Sequence, residues 1–344
     1  MADEKPVGEV LTSKDFETDQ DIRWCPGCGD YSILKQVQNV LPKMGLKREN
    51  IVFVAGIGCS SRFPYYMETY GMHTIHGRAL AVATGLKASR PDLSVWVVTG
   101  DGDSLSIGGN HLIHFLRRNL NVNILLFNNE IYGLTKGQYS PTSPQGTVNK
   151  TTPMGSIDFP FNPIALALGA NGSFIARTMD RDPKHLQESL NRSQQHIGTS
   201  FLEIYQNCNI FNDGAFFVFT DKDTKAAETI FVENGEPLLF GTDKDKGIRL
   251  DGMQPEVVNM NDGYSPDDLW IHDEGDLFKA SMLARFFDNP GDEKHLPRPF
   301  GVFYETIRDT YEDMLQSQLD EAFKSKGDTD LDTLIAGNQT WEIK

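Results

Sequence analysis

The chain has 344 residues, 48 of them acidic and 32 basic, for a formal net charge of −16 and a pI of about 4.9. With 39% hydrophobic residues it can bury a sizeable core, as two domains or as one large domain with an extension. The negative excess disfavours a nucleic-acid backbone or an anionic membrane as main partner. No apolar run approaches the roughly 18–20 residues of a spanning helix. The start, MADEKPVGEVLTSKDFETDQ, lacks the apolar region of a secretion signal. A cytoplasmic protein is expected.

In chain order, an N-terminal segment over 1–48 carries the pair Cys25-Pro26-Gly27-Cys28. Residues 49–212 then alternate short β-branched runs with helical stretches. IVFVAG (51–56) reads as a buried strand ending at glycine, and 77–90 as a helix stopped before Pro91. LSVWVVTG (93–100) is the next strand, 110–119 a helix and VNILLFNN (122–129) a third strand. After a Gly/Pro/Thr-rich loop at 133–156 come a helix at 162–169 and a strand near 173–177. Asp182-Pro183 then supplies a helix cap and first turn, and SFLEIYQN (200–207) closes the series. Near-continuous apolar strands separated by helices predict an α/β fold, a parallel sheet covered on both faces. Ligands of such sheets bind beyond the carboxyl ends of the strands.

Residues 1–210 hold 19 acidic and 19 basic side chains, so the last 134 residues carry the whole net charge. Within that acidic stretch, residues 213–344 keep apolar clusters at 216–220, 237–240 and 284–287 that need burial, and are read as a folded or wrapping extension.

The chemistry-bearing residues fall at the expected strand ends. One strand runs into Gly100-Asp101-Gly102-Asp103 and the next ends at Asn128-Asn129, before Glu130-Ile131-Tyr132-Gly133. Magnesium takes hard oxygen ligands and shares them with a substrate's phosphates. A carboxylate, a neighbouring amide oxygen and a backbone carbonyl would hold it, and the glycines let the backbone approach a diphosphate. The pattern resembles the thiamine-diphosphate motif. That resemblance implies Mg²⁺ on Asp101, Asn129 and the Ile131 carbonyl, with Gly102, Asp103, Gly133 and Leu134 lining the cofactor.

The cysteines are Cys25, Cys28, Cys59 and Cys208. A disulfide scaffold is not expected without a secretion signal. Four thiolates suit zinc or a [4Fe–4S] cluster, and their count does not decide. Structural zinc usually draws on two local pairs, and here only one pair is local, which favours the cluster. Cys59 and Cys208 follow strands, so they are expected on the same sheet edge as the diphosphate motif.

WCPGCG (24–29), GIGCSSR (56–62), HTIHGRA (73–79), GDGDSLSIGGNH (100–111), NNEIYGLTKGQYSPTS (128–143) and NCNIFND (207–213) together resemble the β subunit of 2-oxoacid:ferredoxin oxidoreductases, most closely the 2-oxoglutarate branch. The resemblance implies a CoA-acylating oxidative decarboxylase that converts 2-oxoglutarate to succinyl-CoA and CO₂, or runs in reverse. One [4Fe–4S] cluster on the four cysteines would pass electrons to ferredoxin. It also implies that Ile57, Gly58, Ser60 and His76 contact the cofactor. Arg62 and Lys136 are the candidates to meet a substrate carboxylate, whereas His111 and His114 are assigned to packing or solvent.

Only the diphosphate-binding half of a thiamine enzyme finds room here, so an α subunit should supply the activating glutamate. Ferredoxins are themselves usually acidic, so docking is expected near Cys25 and Cys28, away from the like-charged extension. Rival readings are the same chemistry on pyruvate or branched-chain 2-oxoacids, a non-redox thiamine decarboxylase subunit, and a zinc-stabilised binding module.

Overall fold

A computed structural model describes residues 11–288, 296–328, 330–338, 341 and 343. In chain order it places α1 (Asp30–Val40), β1 (Ile51–Ala55), β2 (Tyr70–His73), α2 (Ala79–Ser89), β3 (Ser94–Gly100), α3 (Gly109–Arg118) and β4 (Val122–Asn128). A short pair follows, β5 (Ile131–Tyr132) and β6 (Gln138–Tyr139), then α4 (Pro163–Gly169), β7 (Phe174–Met179), α5 (Pro183–Gln195) and β8 (Thr199–Tyr205). The acidic stretch adds α6 (Phe217–Thr220), α7 (Lys222–Glu228), β9 (Thr229–Val232), β10 (Leu239–Phe240), β11 (Lys246–Asp251), β12 (Gln254–Asn259), α8 (Leu277–Leu283), β13 (Arg298–Glu305), α9 (Tyr311–Lys326) and α10 (Leu331–Ala336).

Among the described residues the main sheet runs β2-β1-β3-β4-β8-β7-β13-β9. The first six strands are parallel, while β13 pairs antiparallel with β7 and parallel with β9. Side chains alternate between two cores, as a pleated strand requires. Val52, Val95, Val97, Ile124 and Leu126 face α2, α3, α4 and α8. Phe53, Trp96, Val98, Leu125 and Phe127 face α1 and α5. The expected parallel sheet with helices on both faces is therefore the observed architecture.

The helix starts follow their capping chemistry. Asn162 accepts from the Ala165 N–H at 3.1 Å and Asp182 from the His185 N–H at 3.2 Å, each with proline at the first helical position. The stretch between β3 and α3 is helical as well. The chain turns helical at once, and Asp103–Ile107 is wound as a π-helix before α3 begins. Such wide turns concentrate at functional sites.

The acidic stretch is built into the same sheet through β9 and β13. Its apolar clusters are buried: Phe216 and Phe219 pack with Tyr205 and Phe300, and Leu238, Phe240, Ala284 and Phe286 join the core beneath α4. Arg192 of α5 ties it down further, at 2.7 Å from Glu274 and 2.6 Å from Glu305.

Candidate functional site

Four adjacent strands, β1, β3, β4 and β8, deliver their carboxyl ends side by side. Those ends carry Gly56–Ser60, Gly100–Asp103, Asn128–Gly133 and Gln206–Cys208. The parallel topology thus gathers segments that lie 150 residues apart in sequence.

Asp101 is buried at the end of β3, and its Oδ2 accepts from the Ser140 hydroxyl at 2.5 Å and the Thr142 hydroxyl at 2.6 Å. Burial pushes its carboxyl up to about 6, against the pull of those hydroxyls. Thr142 Oγ1 also lies 3.0 Å from Asn128 Oδ1, which accepts from the Glu130 N–H at 3.2 Å. The Asn128 amide donates to Glu203 at 2.8 Å, and Glu203 pairs with Arg177 at 2.7 Å, both wholly buried. A polar chain therefore runs from Asp101 into the sheet core. It ends on the acidic stretch, where Arg177 donates to the Pro299 carbonyl of β13 at 3.2 Å.

Asn129 follows β4, with Oδ1 accepting from the Ile131 N–H at 3.2 Å and Nδ2 donating to Gln206 at 2.8 Å. Glu130 between them takes the left-handed φ of +55°. Its carboxyl is pushed up to about 8, by burial first and the Asp101 charge second. Gly102 is required by close approach. A Cβ on Gly102 would stand 2.2 Å from the Tyr132 ring, whose hydroxyl donates to the Gly102 carbonyl at 3.1 Å.

The Asp103 carboxylate also serves the scaffold. Its Oδ1 accepts from the backbone of Ile57 at 3.1 Å and Gly77 at 2.7 Å and meets His76 Nδ1 at 2.5 Å, and its Oδ2 takes the Thr99 hydroxyl at 2.7 Å. One carboxylate thereby clamps the ends of β1 and β3 to the entry of α2. His76 is held by that bond with its ring partly open to solvent. Ser60 is buried at the turn after Cys59.

The cysteine segments are stitched together at this edge. The Trp24 indole donates to the Cys59 carbonyl at 2.7 Å, the Gly29 N–H to the Asn207 carbonyl at 3.1 Å, and Asn209 to the Pro26 carbonyl at 2.6 Å. A Cβ on Gly133 would lie 3.5 Å from the Cys208 sulfur and 3.6 Å from that of Cys59, so both thiols flank the backbone of the diphosphate motif. Burial pushes Cys59 up to about 12, with the charges of Asp30, Cys208 and Cys25 adding and Arg62 opposing. Cys28 is raised further, by burial first and then by Asp30, with Cys208 contributing. Cys28 and Cys59 both feel the Cys208 sulfur, and Cys59 feels that of Cys25 as well. Among the described residues, no three His, Cys, Asp or Glu side chains converge tightly enough to ligate a single ion. A ligand set of this chemistry gives up its protons when metal binds.

Arg62 lines a cleft of about 560 Å³ together with Ile57, Gly58, Leu134, Tyr65 and His73. Three residues expected at the cofactor and the candidate substrate arginine thus share one opening. Lys136 is not among that lining; it sits exposed on a turn with φ of +79°. Sequence reasoning passed over Ser140, Thr142, Gln206 and the Arg177–Glu203 pair. The hydroxyl run in QYSPTS was the available signal for the first two, whereas a lone glutamine after a strand carries none.

The fold and this edge define a thiamine-diphosphate enzyme domain: residues 56–204 match the family described as thiamine pyrophosphate enzyme, C-terminal TPP binding domain. The 2-oxoglutarate oxidoreductase subunit KorB of Mycobacterium tuberculosis is 53% identical over 334 residues, 96% of this chain and 88% of that protein. The 2-oxoglutarate synthase subunit KorB of Archaeoglobus fulgidus is 42% identical over 185 residues, 54% of this chain and 69% of that one. A solved 2-oxoglutarate:ferredoxin oxidoreductase from Magnetococcus marinus, with 2-oxoglutarate, coenzyme A and succinyl-CoA bound, superposes with a TM-score of 0.76 at 32% identity, covering 96% of this chain and 97% of that one. The chain belongs to the β subunits of the 2-oxoacid:ferredoxin oxidoreductases, within the 2-oxoglutarate branch. Among the described residues, no helix is long and apolar enough to cross a membrane.

Proposed function

We propose that this subunit, with an α partner, carries out the CoA-dependent oxidative decarboxylation of 2-oxoglutarate to succinyl-CoA and CO₂, passing electrons to ferredoxin. The observation that carries the reading is the shared edge: a Cβ on Gly133 of the diphosphate motif would stand within 3.6 Å of the sulfurs of both Cys59 and Cys208. Asp101, Asn129 and the Ile131 carbonyl would hold Mg²⁺, a hard-oxygen set suited to it. Cys25, Cys28, Cys59 and Cys208 would hold one [4Fe–4S] cluster. When bound, thiamine diphosphate supplies the electron sink for decarboxylation and the cluster supplies one-electron acceptance.

The chain's own residues position and select. The Ser140 and Thr142 hydroxyls take Asp101 Oδ2, which fixes the orientation of the carboxylate that would meet the metal. Asp103 locks the segments that carry Ile57 and His76. Arg62, in the cleft beside Ile57 and Gly58, would receive the distal carboxylate of a five-carbon dicarboxylic substrate. Lys136 has a weaker claim as a second cation near the mouth.

The α partner is supported by exposed apolar side chains in the loop after the diphosphate motif, Met154, Ile157 and Phe159, with Ile75 and Leu134 nearby in the motif segments. A face of this kind beside a half-built cofactor site fits a subunit that brings the missing half. Arg62→Ala in the αβ enzyme tests substrate selection. KM for 2-oxoglutarate should rise about tenfold or more while that for pyruvate changes little, as loss of a charged hydrogen bond implies. An unchanged ratio would remove Arg62 from that role.

A further inference from the structure

Gln206 follows β8 directly, is buried, and lies between the two expected metal-binding sets. Its orientation follows from the backbone groups at either end of its contacts. The Ile131 N–H can only donate, so the Asn129 atom at 3.2 Å is Oδ1. Asn129 Nδ2 therefore faces Gln206, and the Gln206 atom at 2.8 Å is its oxygen. The Gln206 nitrogen is left with its two hydrogens. One goes to the Asn207 carbonyl at 2.7 Å, and the other points at the Cys28 sulfur at 3.3 Å. Every donor and acceptor of the amide is thereby assigned.

We propose that Gln206 is a positioning residue shared by both sites, holding Asn129 toward the Mg²⁺ position while donating an N–H···S hydrogen bond to the Cys28 thiolate. Hydrogen bonds to cysteine sulfur stabilise the more electron-rich form of an iron–sulfur centre and so raise its reduction potential. The Asn129 bond acts on the other side: a ligating amide keeps its oxygen aimed only while its nitrogen is tied. Both effects reside in one side chain because Asn129 follows β4, Cys28 precedes α1, and Gln206 follows β8, the strand paired with β4. The inference rests on the proposed cluster and Mg²⁺ ligands, and the wild-type arm of the test checks those separately.

Two variants of the full αβ enzyme divide the roles. Gln206→Met keeps the length and removes both bonds; Gln206→Glu keeps an oxygen for Asn129 and leaves no donor for Cys28. Measured are iron content, the midpoint potential followed by EPR, and the Mg²⁺ concentration needed for thiamine diphosphate binding. With iron retained, the potential should fall in both variants, and the Mg²⁺ requirement should rise about tenfold or more in the methionine variant alone. An unchanged potential in both, with iron intact, overturns the proposal. Loss of iron from both variants while wild type stays loaded also overturns it, since Gln206 would then be holding the cysteine loop and not tuning it. Wild type without iron would refute the cluster reading itself.

Discussion

Arg177→Met should destabilise the chain by about 3–5 kcal/mol, the cost of leaving a buried charge without its partner. Glu203 is wholly buried, and without the guanidinium at 2.7 Å its charge keeps, among the described residues, the Asn128 amide at 2.8 Å. The guanidinium also lies 5.2 Å from the centres of the Tyr205 and Phe303 rings, contacts that methionine replaces in part. Arg177→Met/Glu203→Gln removes the charge as well as the cation. The double variant should therefore recover most of the loss, leaving about 1–2 kcal/mol for unfilled hydrogen bonds. Urea unfolding of the full chain, read as a midpoint shift at constant slope, measures both. A single variant within about 1 kcal/mol of wild type would refute the reasoning, since it would mean that Glu203 sheds its charge or reaches water. So would a double variant less stable than the single one.

Two glycines should respond in opposite directions. Gly77 has φ of +70° and a Cβ there would stand 2.6 Å from the Gly108 nitrogen, so Gly77→Ala should cost about 2 kcal/mol or more. Gly85, inside α2 with open space around it, should gain about 0.5–1 kcal/mol as alanine in the same denaturation series. His272 is buried with Nε2 2.7 Å from the Val302 carbonyl, and burial lowers its pKa despite that bond and the nearby Glu274 and Asp273. The folded chain thus prefers neutral His272, so its contribution is complete above the unfolded value of about 6.5 and is lost as pH falls below it. The slope from this group cannot exceed one proton, about 1.4 kcal/mol per pH unit, and His272→Gln should remove it from the stability profile measured between pH 7 and 5.

The sheet was legible because its strands are buried on both faces. IVFVA, SVWVVTG and VNILLFN are continuous apolar runs, and a helix between each pair leaves the parallel arrangement as the natural solution. β2 was not legible: Tyr70-Gly-Met-His73 is exposed at all four positions and becomes a strand only by hydrogen bonding to the edge of β1. β13 and β9 were read as part of an extension because nothing local says that a strand 120 residues after β7 returns antiparallel beside it. At the site, residue types with narrow chemistry announced themselves, namely Asp101, Asn129 and the four cysteines. The second duty of Asp103 was not legible: backbone N–H groups of Ile57 and Gly77 also bond its carboxylate, and only the assembled fold brings them there. The supporting hydroxyls and Gln206 have too many ordinary uses for sequence to single them out.

In the proposed function the four cysteines serve electron transfer beside the thiamine site. Anaerobic visible spectroscopy of the purified αβ enzyme, with iron, acid-labile sulfide and zinc determined on the same sample, tests it most directly. The expected result is about four irons and four sulfides per β chain, with a broad absorbance bleached by dithionite. Stoichiometric zinc in a colourless protein, persisting after anaerobic reconstitution with iron and sulfide, would contradict it.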